Sequence, residues 1–196
     1  YSYGNPKITK LKDGTWVVLL SSGYNNADGL GHLYVLNAKT GSIIRTINTT
    51  AGTAGNPSGL ARISAHVTEP TTDNTTVAAY GGDTLGNLWR FDVNGDIGAP
   101  GYEAQLLVNF TDSSGNPQPI TIKPLEATIN NLPVVFVGTG RYLGTTDVAD
   151  TSTQSFYAVK DKLDSSTYGD PRIATNGFVK QTLTEGTCPS DAPLTV

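Results

Sequence analysis

The stretch Asp92-Val93-Asn94-Gly95-Asp96 sets oxygen-bearing side chains at positions one, three and five, and Glu103 falls at position twelve. That is the ligand spacing of an EF-hand calcium loop, where carboxylate and amide oxygens surround a hard cation. Two features favour a different reading. The glycine stands at position four instead of six and Pro100 stiffens the second half, while Asn94-Gly95 is by itself a common pair for a tight turn after a strand. Asp92, Asn94 and Asp96 are therefore read first as a turn, with weak calcium binding as the alternative. The run holding Asn25, Asn26 and Asp28 is a poorer cation site, because only one of those side chains is charged.

The remaining chemistry-bearing residues lack partners in sequence. Gly138-Thr139-Gly140 has neither the third glycine nor the helix of a dinucleotide loop, and no Gly-Lys-Ser/Thr phosphate loop occurs. It reads as a turn at a strand end, with Arg141 paired to a nearby acid or carbonyl. His32 and His66 have neither the spacing of a zinc pair nor the acid and serine of a hydrolytic triad, so each reads as a strand-face side chain. Cys188 is the only cysteine. No histidine is near it in sequence to favour a thiolate, so it reads as an inert thiol or, in an oxidising compartment, as half of a bridge to an outside partner. No catalytic and no cofactor-binding residue is assigned.

These residues sit on short strands. Val77-Ala78-Ala79-Tyr80 leads into the corner Gly81-Gly82-Asp83, and Asn87-Leu88-Trp89-Arg90-Phe91 returns as an aromatic-rich strand. Asp83 and Asp92 bracket this hairpin and are expected to cap its turns by accepting backbone N–H groups. The same pattern occurs earlier, where Val17-Val18-Leu19-Leu20 precedes Gly31-His32-Leu33-Tyr34-Val35-Leu36-Asn37. Aligning Gly31 with Gly86 places Tyr34 on Trp89 and Asn37 on Asp92. A looser third copy runs from Val134–Val137 to Ser155-Phe156-Tyr157-Ala158-Val159-Lys160-Asp161, with Tyr157 as its aromatic. The three aromatics are spaced more widely than the about 40–50 residues of a compact four-stranded blade, so long loops are expected between strands.

Other elements follow from turn residues. Ile8 and Leu11 precede an Asp13-Gly14 turn into Trp16–Leu20, a hairpin expected in the outer-to-middle part of a blade. Ile43–Ile47, Leu60–Val67 and Ala104–Phe110 read as strands, with Glu69–Thr75 as a polar turn. Ile120–Ile122 alternates, and Pro124–Ile129 is expected to continue it. The segment 163–196 has no clear order. Residues 1–196 are thus expected to form one all-β fragment of a β-propeller, an incomplete ring of about three to four blades. It must belong to a larger ring or hide its open sides against something else.

With 15% charged residues and a net charge of −4, the chain offers no basic face for nucleic acid. Its apolar runs are far shorter than the about 20 residues of a membrane-spanning helix. The absence of methionine and of any leader pattern suggests an excised or processed piece.

An ordered set of motifs resembles a known family. Tyr3-Gly4-Asn5-Pro6 with Asp13-Gly14-Thr15-Trp16, Ser22-Gly23-Tyr24-Asn25-Asn26, Leu33-Tyr34-Val35-Leu36-Asn37, Pro57-Ser58-Gly59-Leu60-Ala61, Gly81-Gly82-Asp83 with Gly86-Asn87-Leu88-Trp89, and Val137-Gly138-Thr139-Gly140-Arg141-Tyr142 are similar to the C-terminal propeller of PilC/PilY-type proteins. The resemblance covers residues 1 to about 160. It implies a quinoprotein-like propeller, at the pilus tip, outer membrane or elsewhere on the bacterial surface, acting in type IV pilus biogenesis, retraction control and adhesion. The partners it implies are pilin or minor pilin subunits, a host-surface receptor and the remainder of the same propeller. Members can carry a calcium loop whose matching positions here are Glu69, Thr71, Asp73, Thr75 and Val77. Only two of these are carboxylates and Pro70 interrupts them, so that site is expected to be absent or crippled. Two other readings stand beside the non-enzymatic pilus factor. A quinone-dependent dehydrogenase would share the fold, and a generic protein-interaction scaffold would need no ligand at all.

Overall fold

The computed structural model describes residues 4–97 and 103–181. It contains eleven named strands among those residues: β1 (Lys7–Lys10), β2 (Trp16–Ser21), β3 (His32–Asn37), β4 (Ile43–Asn48), β5 (Ile63–Glu69), β6 (Asp73–Gly82), β7 (Asn87–Phe91), β8 (Ala104–Asn109), β9 (Leu125–Ile129), β10 (Leu132–Gly138) and β11 (Phe156–Lys160). Among the described residues their helical companions are two short 3₁₀ turns, Thr145–Ala149 and Ala174–Asn176.

The strands form three antiparallel meanders. Blade A is β1 to β4 and blade B is β5 to β8, each in chain order, while blade C comprises β9, β10 and β11. Blades A and B join through a single parallel pairing, Lys10 with Thr75. Turn chemistry sets these meanders. Asn130 and Asn131, at φ 52° and 61°, make the two-residue turn between β9 and β10, a conformation asparagine tolerates better than most residues. Gly86 stands at φ 81° where a Cβ would lie 2.4 Å from the Phe110 carbonyl oxygen, so no larger residue fits the start of β7.

Period-two alternation sends side chains to opposite faces, and each buried face meets the next blade. Val17, Leu19, Leu33 and Val35 of blade A pack with Ile63, Ala79, Trp89 and Phe91 of blade B. The other face of blade B, including Tyr80, Leu88, Leu107 and Phe110, packs with Val135, Val137 and Val159 of blade C. Tyr34, Trp89 and Tyr157 thus occupy the third strand of successive blades, as the repeat requires.

The structure corrects three local expectations. The opening hairpin is inner, not outer to middle: β1 adjoins β5 and β6, and β4 forms the far edge of its blade. Ile120 makes only an isolated parallel bridge to Gly140, and the strand begins at Leu125, because the Ile120 N–H is bound by the Asp83 carbonyl and Pro124 donates to no ladder. The polar turn before β6 shortens to 70–72, because Asp73 already pairs with Glu69 across the strands. The segment 163–181 packs across blade B, with the Tyr168 N–H donating to the Leu107 carbonyl at 2.7 Å. Cys188 lies outside the described residues.

Candidate functional site

The corner after β6 is a carboxylate cage. Asp83 is fully buried, and its Oδ1 accepts the N–H groups of Leu85 and Asn87, each at 2.9 Å. Its Oδ2 accepts Asn87 Nδ2 and the Trp89 indole Nε1, each at 2.8 Å. Burial pushes this carboxyl above the ordinary range, opposed by the Trp89, Asn87 and Leu85 donors. The turn-capping role expected of Asp83 is present. Its bond to the Trp89 indole, which holds the interblade aromatic in place, was not evident from spacing.

The Asp92 turn is built the same way. Asp92 Oδ1 accepts the N–H of Asn94 at 3.1 Å and of Gly95 at 2.8 Å, and Oδ2 accepts the Ile97 N–H at 2.6 Å. Asn94 donates to the Thr76 carbonyl and accepts the Lys12 N–H, while Asp96 is paired with the Lys12 ammonium. The three calcium-candidate side chains share one loop; its own N–H groups bond the Asp92 oxygens, while the Lys12 N–H and ammonium engage Asn94 and Asp96. Asn26 donates to Ser22 Oγ and the Leu30 carbonyl, and Asp28 accepts the Leu30 N–H and contacts His32. Asp73 pairs with Lys10 at 2.6 Å. Among the described residues, no group of three or more His, Cys, Asp or Glu side chains is arranged to hold a metal ion.

Arg141 donates from Nε to Asp147 at 2.9 Å, the acid partner its sequence position suggested. Asp147 also accepts the N–H groups of Leu143 and Gly144; the Leu143 N–H first, then the Arg141 guanidinium and the Gly144 N–H, hold its carboxyl below the ordinary range against burial. The loop so pinned leaves Tyr142 and Val148 exposed.

Two polar sites had no signal in the sequence. The first joins blades B and C: Arg90 Nη1 meets Asp161 at 2.8 Å, Tyr80 donates its hydroxyl to the same carboxylate at 2.8 Å, and Arg90 Nη2 reaches the Asp164 carbonyl. All three side chains are buried. The second is a cleft of about 420 Å³ where β1, β5 and β9 converge, lined by Lys7, Thr9, His66, Asn74, Glu126 and Thr128 among others. Burial lowers the His66 pKa against the Asp161 charge, and burial raises that of Glu126 against Ser64, Lys123 and Lys7. The Ser64 hydroxyl is near enough to favour the Glu126 carboxylate, yet Ser64 Oγ and Glu126 Oε1 are both buried without an aligned hydrogen bond. A period-two reading could have put Ser64 and His66 on one face of β5. Nothing in the sequence placed Glu126 opposite them.

The fold defines a class: successive blades of a β-propeller, with interblade aromatics at the third strand and acidic turn caps. The model of the PilY1 beta-propeller domain family matches residues 1–190, and the chain belongs to that family. It is 31% identical over 211 residues to the type IV pilus biogenesis factor PilY1 of Pseudomonas aeruginosa strain PAO1, covering 93% of this chain and 18% of that protein. A PilY1 homolog of Xylella fastidiosa is 26% identical over 194 residues, which cover 89% of this chain and 12% of that protein. The crystal structure of the Pseudomonas aeruginosa PilY1 C-terminal domain superposes with a TM-score of 0.70 at 30% identity, over 86% of this chain and 40% of that one. No helix among the described residues is long and apolar enough to cross a membrane.

Proposed function

We propose that this chain is part of the propeller of a surface-exposed type IV pilus factor. It acts in pilus assembly, retraction control and adhesion by binding proteins, without a reaction of its own. The observation that carries the reading is the family match along residues 1–190, together with relatives named as pilus biogenesis factors. The chemistry of the described residues supports it. Their acidic side chains at the turns serve as caps, and the Arg90–Asp161 pair ties two blades together. The expected partners are pilin or minor pilin subunits and, for adhesion, a receptor on another cell, reached from outside the bacterium.

The test removes these residues from the natural gene in a piliated host and counts surface pili, twitching motility and attached cells. The expected result is fewer pili and weaker attachment, restored by the wild-type segment. Unchanged piliation and attachment would overturn the pilus reading. A quinone-type absorbance retained by the purified protein, with turnover of an alcohol or sugar, would instead establish the dehydrogenase alternative.

A further inference from the structure

The cleft among β1, β5 and β9 takes no part in the turn caps or the Arg90–Asp161 tie. These are the first strands of blades A, B and C, so the cleft lies on the side of the chain nearest the ring axis. Strand register aims polar side chains into it from two walls. Lys7 and Thr9 stand across the ladder from Leu19 and Val17 and so face blade B from blade A. Glu126 and Thr128 stand across from Val135 and Pro133 and face blade B from blade C. Between these walls, Ser64 and His66 share the face of β5 that lies beside Tyr80 and Ala78.

Polar groups at this cleft are left without partners. His66 lines it while only 6% exposed, and no hydrogen bond among the described residues engages its ring. Ser64 Oγ and Glu126 Oε1 are buried and equally unbonded. Lys7 is close enough for its ammonium to favour the Glu126 carboxylate, yet the ion pairs of the described residues do not join the two. One charge of each sign thus stands at the cleft with space between them. Burying charged and polar groups without partners costs free energy, which a ligand that supplies the partners recovers. The volume of about 420 Å³ falls within the about 300–1,000 Å³ of small-molecule sites.

We infer that this cleft binds a free α-amino acid, its ammonium on Glu126 and its carboxylate on Lys7, with His66 and Ser64 supplying the buried hydrogen bonds. The charge pattern selects this class. An anion alone would face the Glu126 carboxylate, and a cation alone would face Lys7 and Lys123, whose charges both act on Glu126. A neutral ligand would leave both charges without a counter-charge. A bare metal ion would find no group of three or more His, Cys, Asp or Glu side chains among the described residues. A zwitterion satisfies both walls at once. Because those walls belong to blades A and C, the ligand also ties them together across the first strand of blade B. The inference stands on the cleft and not on the pilus role, so either can fail alone.

The test titrates the longest natural polypeptide carrying these residues, by calorimetry, with each of the common protein amino acids and with ethylamine and acetate, which keep one charge each. At least one amino acid is expected to bind with a Kd of about 1 mM or tighter, and about tenfold or more tighter than ethylamine or acetate. Glu126→Gln and Lys7→Met are each expected to weaken that binding about tenfold or more, while Tyr142→Asp, outside the cleft, leaves it unchanged. Lys7→Met, at a half-buried position, gives the comparison if Glu126→Gln does not fold. Absence of binding by every amino acid overturns the inference. So does acetate bound as tightly as the best amino acid, which would make the cleft an anion site. Binding that both variants leave intact overturns it as well, since the ligand would then sit elsewhere on the polypeptide.

Discussion

At the scale of single residues, the carboxylates of this chain act mainly as acceptors for N–H groups that the turns leave without partners. Asp83 serves four donors at once from a fully buried position. Asp83→Ala strands those donors, and with each orphaned buried group costing about 1–3 kcal/mol, a loss of about 3 kcal/mol or more is expected in urea denaturation. A loss below about 1 kcal/mol would show that water replaces the carboxylate. Asp147 gives a pH-dependent case. Its folded pKa lies below the ordinary 3.8, first because of the Leu143 N–H, so its contribution is complete above about pH 4 and is lost as pH falls through the folded value. The Leu143 amide should therefore lose hydrogen-exchange protection on acidification before the β10 amides do. Simultaneous loss of both would mean that global unfolding comes first. For Asp92, whose two oxygens already accept three backbone N–H groups, calorimetric titration is expected to show no calcium binding tighter than about millimolar. Micromolar binding abolished in Asp92→Ala and Asp96→Ala would restore the EF-hand reading.

At the scale of elements, the sequence made plain whatever is written as local chemistry. The hairpins announced by Asp13-Gly14, Gly81-Gly82-Asp83 and Asn130-Asn131 form where expected, and the three third-strand aromatics are equivalent, because turn residues and period-two alternation act over a few positions. The blade-to-blade ties could not be read, since they join residues far apart in the chain. Asp161 looked like the tail of a repeat, yet it holds Arg90 and Tyr80 across the interface of blades B and C. Burial, with the Asp161 charge adding to it, pushes the Tyr80 phenol far above its ordinary range, so this hydroxyl stays a donor. Removing one partner of a buried ion pair leaves an uncompensated charge, so Asp161→Ala is expected to cost about 3–5 kcal/mol, whereas Tyr80→Phe, which removes one neutral donor, should cost about 1. Equal losses for the two variants would show that Arg90 is not carried by Asp161.

At the scale of the whole molecule, the outward flanks of blades A and C decide how the 196-residue chain behaves by itself. Its described residues bury two interblade cores and leave the complementary halves of two more uncovered, one bearing Phe136 and Phe156 and the other Tyr34. Inside the chain, Leu33 and Leu88, in the slot of Phe156, receive the following blade, and Trp89 and Tyr157, in the slot of Tyr34, pack onto the preceding one, so the two flanks form a heterologous pair, and such pairs join copies head to tail. When no further blades are present, the isolated chain should associate in that way with rising concentration, driven by apolar area that the parent ring would cover. Sedimentation velocity of the isolated chain should show a weight-average mass that climbs with concentration. Phe156→Asp should return it to the monomer, because a carboxylate in that slot would have to be desolvated against the aromatic of the next copy. Tyr142→Asp, on the rim, should leave the association unchanged. Self-association that survives Phe156→Asp but disappears with Tyr142→Asp would move the sticky surface from the flank to the rim.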